Sequence, residues 1–105
     1  MNSDWDNKKT DETRSIETRL GREFSHIDAY RYNLASIRIR IIDPRFEGKS
    51  YAEREAMVHP FIMKLPKRSR EDVLMLVLLE PGEVSTRNTQ AITNLEFENP
   101  SRSRF

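Results

Sequence analysis

The sequence contains no cysteine, only three glycines, and almost no excess of charge of either sign. The absence of cysteine excludes disulfides, thiolate metal ligands and a cysteine nucleophile. Because the glycines are isolated at positions 21, 48 and 82, the chain has no glycine-rich loop of the kind that binds phosphates. Its 18 basic and 17 acidic side chains leave a net charge of +1, which by itself favours neither nucleic acid nor a membrane surface.

Long apolar segments are missing as well. The longest apolar run is Val73–Leu79, far shorter than the roughly 20 residues that a membrane-spanning helix needs. The first residues, MNSDWDNKK, lack the basic and then apolar order of a signal peptide. We therefore expect a small soluble cytoplasmic protein with no membrane partner.

The polar composition of both ends predicts one folded domain between two tails. Residues 1–14 are almost wholly polar, with Trp5 as the one large apolar side chain, and predict a disordered tail. From residue 85 onward the chain is again mostly polar, and residues 85–105 predict a mostly flexible C-terminal tail. The domain then comprises residues 15–84.

Three apolar residues interrupt the polar C-terminal tail, namely Ile92, Leu95 and Phe97. They can dock on the domain as one short turn of helix or as an edge strand. A loose tail remains the simpler interpretation, because terminal segments are poorly ordered unless they are tied down.

The start of the domain has the pattern of an amphipathic helix. Apolar residues that recur every four positions mark one helix face: Ile16, Leu20 and Phe24. Ser15 lies directly before this stripe and is the predicted N-cap. Gly21 weakens the helix without excluding it.

Two strands and a turn follow this helix. Residues 29–33 alternate and are rich in aromatic side chains, which is typical of a short strand. Residues 36–43 alternate isoleucine with arginine and predict the clearest strand of the chain. Arg38 and Arg40 are expected to face water or a ligand. The alternate residues are expected to face a core, namely Ile37, Ile39 and Ile41. Residues 33–35 are the predicted turn.

A second helix and a last strand complete the domain. Ser50 and Glu53 have the spacing of a capping box, which predicts a helix that starts directly after Ser50. Pro60 lies inside the apolar face of this helix and predicts a kink, or a break into two helices, near His59. Val73–Leu79 is continuously apolar, as a strand covered on both faces would be.

These elements predict an α+β domain in the order α-β-β-α(α)-β. The long helical crossover between the second and third strands suits a parallel pair, whereas the first two strands are close enough in sequence to form a hairpin. We therefore expect a three-stranded mixed sheet with helices packed on it.

Catalytic and metal-binding constellations are not recognisable in the sequence. The two histidines, His26 and His59, belong to no zinc motif, and no serine lies in a G-x-S-x-G sequence. We therefore expect no enzyme activity, no metal site and no cofactor. Glu55 and His59 are four residues apart on one helix face and form half of a metal site at most, and a surface carboxylate–imidazole pair is the simpler interpretation.

Basic side chains are the remaining candidates for a binding function, because convergent cations bind the phosphates of nucleic acid. The candidate nucleic-acid-binding residues are Arg38, Arg40, Arg45, Lys49, Lys67, Arg68 and Arg70. Acidic residues are interspersed among them, so a solvated surface of mixed charge is the simpler alternative.

Residues 42–54, IDPRFEGKSYAER, resemble the central segment of the BolA family, in which a strand runs into F-x-G-x-S and the following helix carries R-H. The element order over residues 15–84 is also similar to that family's fold, a relative of the type II KH domain. In this segment Phe46 is expected to plug the end of the sheet, and Gly48 to allow a turn that a side chain would obstruct. The resemblance implies a small non-enzymatic binding module that binds nucleic acid or acts in regulation.

The resemblance also implies an alternative partner, a glutaredoxin-like protein. The family's histidine, which can ligate an iron–sulfur cluster shared with a monothiol glutaredoxin, corresponds here to Glu55. A carboxylate is a poor replacement for imidazole at such a cluster, and His59 lies one helical turn further on. The alternative function is therefore a protein-interaction adaptor that has lost the usual histidine ligand. In either case we expect a monomer or a weak dimer.

Overall fold

A three-stranded sheet with β2 at its centre organises residues 9–84, the part of the chain that the computed structural model describes. The elements are α1 (Asp11–Leu20), β1 (His26–Asn33), β2 (Ser36–Ile42), α2 (Tyr51–Ile62), α3 (Lys67–Glu71) and β3 (Val73–Leu79). Strand β2 pairs antiparallel with β1 and parallel with β3. The predicted α+β class, element order and mixed sheet are therefore confirmed.

The first helix begins earlier than its apolar stripe indicates. Thr10 is the N-cap: its Oγ1 accepts a hydrogen bond from the amide of Thr13 at 3.1 Å, and the Thr13 hydroxyl accepts one from the amide of Thr10 at 2.9 Å. Ser15, the predicted cap, is an exposed residue inside α1. The boundary between tail and domain at residue 14 is wrong, because residues 11–14 are helical.

The remaining predictions for the tails concern residues 1–8 and 85–105, which lie outside the described residues. At the other end of α1, the helix stops at Leu20, and Phe24 lies beyond it in the loop that leads to β1. Phe24 is nevertheless buried in the same cluster as Ile16 and Leu20.

The loop and the cap that precede α2 have the predicted geometry. Gly48 has a φ of +76°, a backbone conformation that L side chains rarely adopt. The hydroxyl of Ser50 accepts a hydrogen bond from the amide of Glu53 at 3.2 Å, and the carboxylate of Glu53 accepts one from the amide of Ser50 at 2.7 Å. The predicted capping box is therefore confirmed.

Helix α2 does not break near His59, and that alternative is wrong. The helix includes Pro60 and continues to Ile62. A proline removes one backbone donor, in this case the one that would pair with the carbonyl of Ala56. Because Pro60 lies in the last turn of the helix, few downstream residues depend on the lost bond.

The main core lies between the sheet and the helices. Ile37, Ile39 and Ile41 of β2 contribute to it together with Phe46, which is 0% exposed. Phe46 sits in a short 3₁₀ turn (Pro44–Phe46) directly after β2, at the end of the sheet as predicted. The helices contribute side chains from α1 and α2, including Ile16, Leu20 and Val58.

Strand β3 is covered on both faces only in its second half. Val77, Leu78 and Leu79 are 0% exposed, whereas Leu74 is 70% exposed. The prediction from its continuous apolar sequence is therefore correct for the end of the strand and wrong for its start. The β2–β3 register shifts at Leu74, between the pairs Ile37–Val73 and Arg38–Met75, and Leu74 lines a groove beside α2.

The capping assignments lead to a test on α1. We expect Thr10→Ala to lower the free energy of unfolding by about 1 kcal/mol, because the first turn loses a side-chain acceptor. Ser15→Ala is the matched control and should leave the stability unchanged or slightly higher, since alanine is the better helix former at an exposed interior position. Urea denaturation measures both, and a larger loss for Ser15→Ala would contradict the observed helix start.

The conformation of Gly48 leads to a second test. Gly48→Val should lower the melting temperature, because a side chain in the left-handed region costs about 1–2 kcal/mol and a β-branched one is poorly tolerated there. Gly48→Asn is the control, since asparagine adopts this conformation more readily. Equal melting temperatures for the two variants would show that the turn is formed differently.

Candidate functional site

The seven predicted nucleic-acid-binding residues are divided among three places in the structure. Arg38 and Arg40 lie on β2, Arg45 and Lys49 lie in the loop after β2, and the other three belong to α3. Strands β2 and β3 are parallel, so the loop after β2 and the helix before β3 lie at opposite ends of the sheet. These residues therefore do not form a single basic surface.

Arg40 is a structural residue, and the prediction that it faces water or a ligand is wrong. Its side chain is 2% exposed, and its Nη2 and Nε donate to Oδ2 of Asp28 at 2.6 and 3.2 Å. The two residues are directly opposed in the β1–β2 register, which places the carboxylate against the guanidinium. His26 Nε2 lies 2.9 Å from the same oxygen. Opposite charge across the strand pair therefore allows Arg40 to be buried.

Arg38 shares the sheet face of Arg40 but is only half-buried. Its guanidinium carbon lies 3.6 Å from the centroid of the Tyr32 ring, a cation–π distance. Its Nη1 donates to the Tyr30 hydroxyl at 3.3 Å. Arg38 is therefore held by two aromatic residues of β1.

Arg45 is held at the end of the sheet by Asp43. The buried Asp43 carboxylate accepts hydrogen bonds from the amide and Nε of Arg45 at 2.8 and 3.0 Å, and from the amide of Ser25 at 3.0 Å. Burial alone would raise the pKa of Asp43, but these hydrogen bonds outweigh it and lower the pKa. The Arg45 guanidinium also donates to the carbonyl of Glu23 and lies 4.9 Å from the Phe24 ring centroid.

The remaining predicted cations have mostly ordinary surface positions. Lys49 and Arg68 are exposed, and Lys67 forms an exposed i,i+4 ion pair with Glu71 at 3.9 Å. Arg70 is half-buried and donates to the carbonyl of Leu65 at 3.2 Å. Ion pairs of the Lys67 kind contribute little to stability or to a site.

A different group of cations converges where the end of α1 meets the end of α2. Arg19 and Arg22 on one side and Lys64 on the other line a cleft of about 180 Å³, which we call the basic cleft. All three side chains are exposed, and among the described residues that line the cleft only Glu23 is acidic. The cleft therefore combines an open entrance with an excess of positive charge.

Aromatic packing holds the two sides of the basic cleft together. Phe61, which lines the cleft, packs edge-on against Phe24 with their ring centroids 5.5 Å apart. Lys64 Nζ lies 5.2 Å from the Phe61 centroid. Among the predicted site residues, Arg45 lies beside this cleft, because it binds the backbone of Glu23 and contacts the ring of Phe24.

Sequence reasoning did not find the cleft because Arg19 and Arg22 follow no motif. They belong to the polar residues at the end of α1, more than forty positions away from Lys64. One feature of the sequence does indicate the cleft, since Lys64 lies in a run of basic residues after α2. The fold brings the three cations together by placing the end of α1 and the loop after it beside the segment that follows α2.

Glu55 and His59 line a second depression, a groove between α2 and the outer edge of β3. Leu74 and Ile62 line the same groove, and the Tyr51 hydroxyl donates to the carbonyl of Leu76 at 2.8 Å. Burial, followed by the nearby Glu55 carboxylate, raises the pKa of Tyr51. Within residues 9–84, no three histidine, aspartate or glutamate side chains are grouped so as to hold a metal ion.

Comparison with known proteins identifies no relative: no family model, no curated protein and no solved structure matches the chain. The resemblance to the BolA family therefore rests on residues 42–54 and on the order of the elements. The part of the chain that the structure describes contains no helix long and apolar enough to cross a membrane.

The buried ion pair leads to a stability test. Asp28→Asn should lower the free energy of unfolding by about 3–5 kcal/mol, because it leaves the buried Arg40 charge without its carboxylate. Glu71→Gln makes the same chemical change in the exposed pair with Lys67 and should cost less than about 0.5 kcal/mol. Urea denaturation of both variants measures the difference, and equal losses would contradict the structural role of Arg40.

The lowered pKa of Asp43 leads to a prediction of pH dependence. Since its pKa is lower in the folded chain than the ordinary value of 3.8, the charged form stabilises the fold. This contribution is complete above the ordinary pKa and is lost as the pH falls through the lowered value. Melting temperatures measured from about pH 5 to pH 2 should fall less steeply for Asp43→Asn than for the wild type. Identical slopes would show that Asp43 does not contribute.

Proposed function

We propose that this chain is a non-enzymatic binding module that contacts the phosphate backbone of nucleic acid through the basic cleft. The observation that carries the proposal is the convergence of Arg19, Arg22 and Lys64, from two separate elements, on one open cleft. Cations that converge in this way neutralise neighbouring phosphates and release their counterions.

Because the net charge of the chain is small, its affinity for nucleic acid must depend on where the cations lie. With a net charge of +1, the chain as a whole attracts a polyanion only weakly. Affinity for nucleic acid must then come from the few cations that line the basic cleft. This predicts weak binding with a modest salt dependence. Contacts to phosphates carry no sequence information, so we expect little discrimination among sequences.

The proposed family is BolA-like, with the related type II KH-like fold. Two features support this proposal: the α-β-β-α-α-β order of the structure, and the F-x-G-x-S loop, in which Gly48 has positive φ and Ser50 caps α2. We further propose a cytoplasmic location, because a chain without cysteine needs no oxidising compartment.

Fluorescence anisotropy with mixed-sequence DNA and RNA oligonucleotides at several salt concentrations tests the proposal. The test variant carries Arg19→Gln, Arg22→Gln and Lys64→Gln. For duplex DNA, each lost phosphate contact should reduce the slope of log affinity against log salt by about 0.9. The slope should therefore become close to zero in this variant.

The matched control removes the same charge elsewhere, through Arg14→Gln, Lys49→Gln and Arg68→Gln. All three residues are exposed, and none lines the basic cleft. The control should retain most of the slope and affinity. An equal loss in both variants would indicate nonspecific attraction, and no binding by the wild type at low salt would refute the function altogether.

A second candidate function is a protein-interaction adaptor of the glutaredoxin-partner type. The groove between α2 and β3 favours it, because Glu55 and His59 lie there beside Leu74, which is 70% exposed. Ile62 and Met75 line the same groove, and a contiguous apolar patch bordered by polar groups is typical of a protein-binding surface. We therefore propose that the partner binds in this groove. We also propose that no residue of this chain replaces the family's histidine as a cluster ligand.

Mixing the chain with a cluster-loaded monothiol glutaredoxin tests this second candidate. Co-elution that is lost in Leu74→Ser, with an unchanged visible spectrum, is the expected result. A changed spectrum that requires His59 would show instead that a cluster ligand is exchanged. Absence of co-elution would remove the adaptor function.

A further inference from the structure

The sheet face that points away from the helices, which we call the second face, is buried. Tyr30, Val77 and Leu79 are 0% exposed, and Ile42 is 2% exposed. These four residues form a cluster separate from the main core. The second face also carries the buried pair of Arg40 and Asp28. A face of this composition requires a cover that keeps water away.

The described helices do not supply that cover. Their buried apolar side chains, such as Ile16 and Val58, all belong to the main core. On the second face, the partly buried apolar side chains among residues 9–84 are Met75, from β3 itself, and Val84. Neither is large enough to cover a three-stranded sheet.

Val84 indicates which part of the chain reaches the second face. It is the last described residue, and it already packs against the cluster of Tyr30, Val77 and Leu79. Residues 85–105 continue from this point and contain three large apolar side chains: Ile92, Leu95 and Phe97. Ile92 lies eight positions after Val84, and an extended chain of that length spans about 26–29 Å, enough to cross strands that are each about 20 Å long.

We propose that residues 85–105 dock on the second face and cover it with Ile92, Leu95 and Phe97. The partner of this surface is thus the chain's own C-terminal segment. Docking shields the ion pair of Arg40 with Asp28 from water, and it occupies the face on which Arg38 lies. The inference is independent of the basic cleft, because that cleft lies on the helix side of the sheet.

The chain has no cysteine, so the reaction rate of a single introduced thiol measures whether the second face is covered. In Val77→Cys, a thiol reagent should react slowly, because the side chain is buried on the second face. Adding Ile92→Ser, Leu95→Ser and Phe97→Ser should accelerate the reaction about tenfold, which corresponds to about 1.4 kcal/mol of docking free energy. An unchanged rate would overturn the proposal.

Ile39→Cys is the matched control, because its thiol is buried in the main core beneath the helices. Its reaction should remain slow in the presence of the three serine substitutions. The same assay separates other occupants of the second face. Acceleration by Trp5→Ser instead would assign the cover to the N-terminal segment, and acceleration on dilution would assign it to a second copy. Either result overturns the proposal.

If both thiols react faster in the serine variant, the fold itself has been lost, and a measurement on an intact tail decides. A nitroxide attached at Thr93→Cys should broaden the methyl resonance of Met75, which packs on the second face, more than that of Met57, which packs on the main core. Equal broadening, or stronger broadening of Met57, would overturn the proposal.

Discussion

Strand β2 is buried on both faces, and this burial determines which side chains the neighbouring strands and helices must provide. As the central strand, it places Ile37, Ile39 and Ile41 in the main core and its arginines on the opposite face. A buried guanidinium needs a carboxylate, and β1 supplies Asp28 directly across from Arg40. A slip of the strands by one residue would move Ile37, Ile39 and Ile41 to the wrong face and separate this pair, so the register is strongly specified.

The same burial removes the arginines of β2 from the exposed basic surface. The alternating arginines of β2 have the appearance of a binding face in the sequence, yet they are held by Asp28 and by the aromatic residues of β1. The cations that converge on open solvent are instead Arg19, Arg22 and Lys64, at the ends of the helices. The alternation of isoleucine and arginine along β2 therefore stabilises the fold, whereas the candidate site is formed by residues from separate elements.

Local patterns were sufficient to predict most of the fold. The alternation of β2, the apolar run of β3 and the capping box at Ser50 each depend on residues close together in sequence, and each was located correctly. The start of α1 was missed because threonine replaces the usual glutamate at the third position of its capping box. The burial of Arg40 and the basic cleft were missed because both depend on the partners that tertiary packing provides.

Arg40 is structural, whereas Arg19 and Arg22 are proposed to contact nucleic acid, and one titration tests both roles. The Nε–Hε resonances of the arginines are recorded in the full chain while a mixed-sequence oligonucleotide is added at low salt. We expect the signals of Arg19 and Arg22 to shift, while that of Arg40 stays in place and exchanges slowly with water. A shift of the Arg40 signal, with Arg19 and Arg22 unchanged, would contradict both roles.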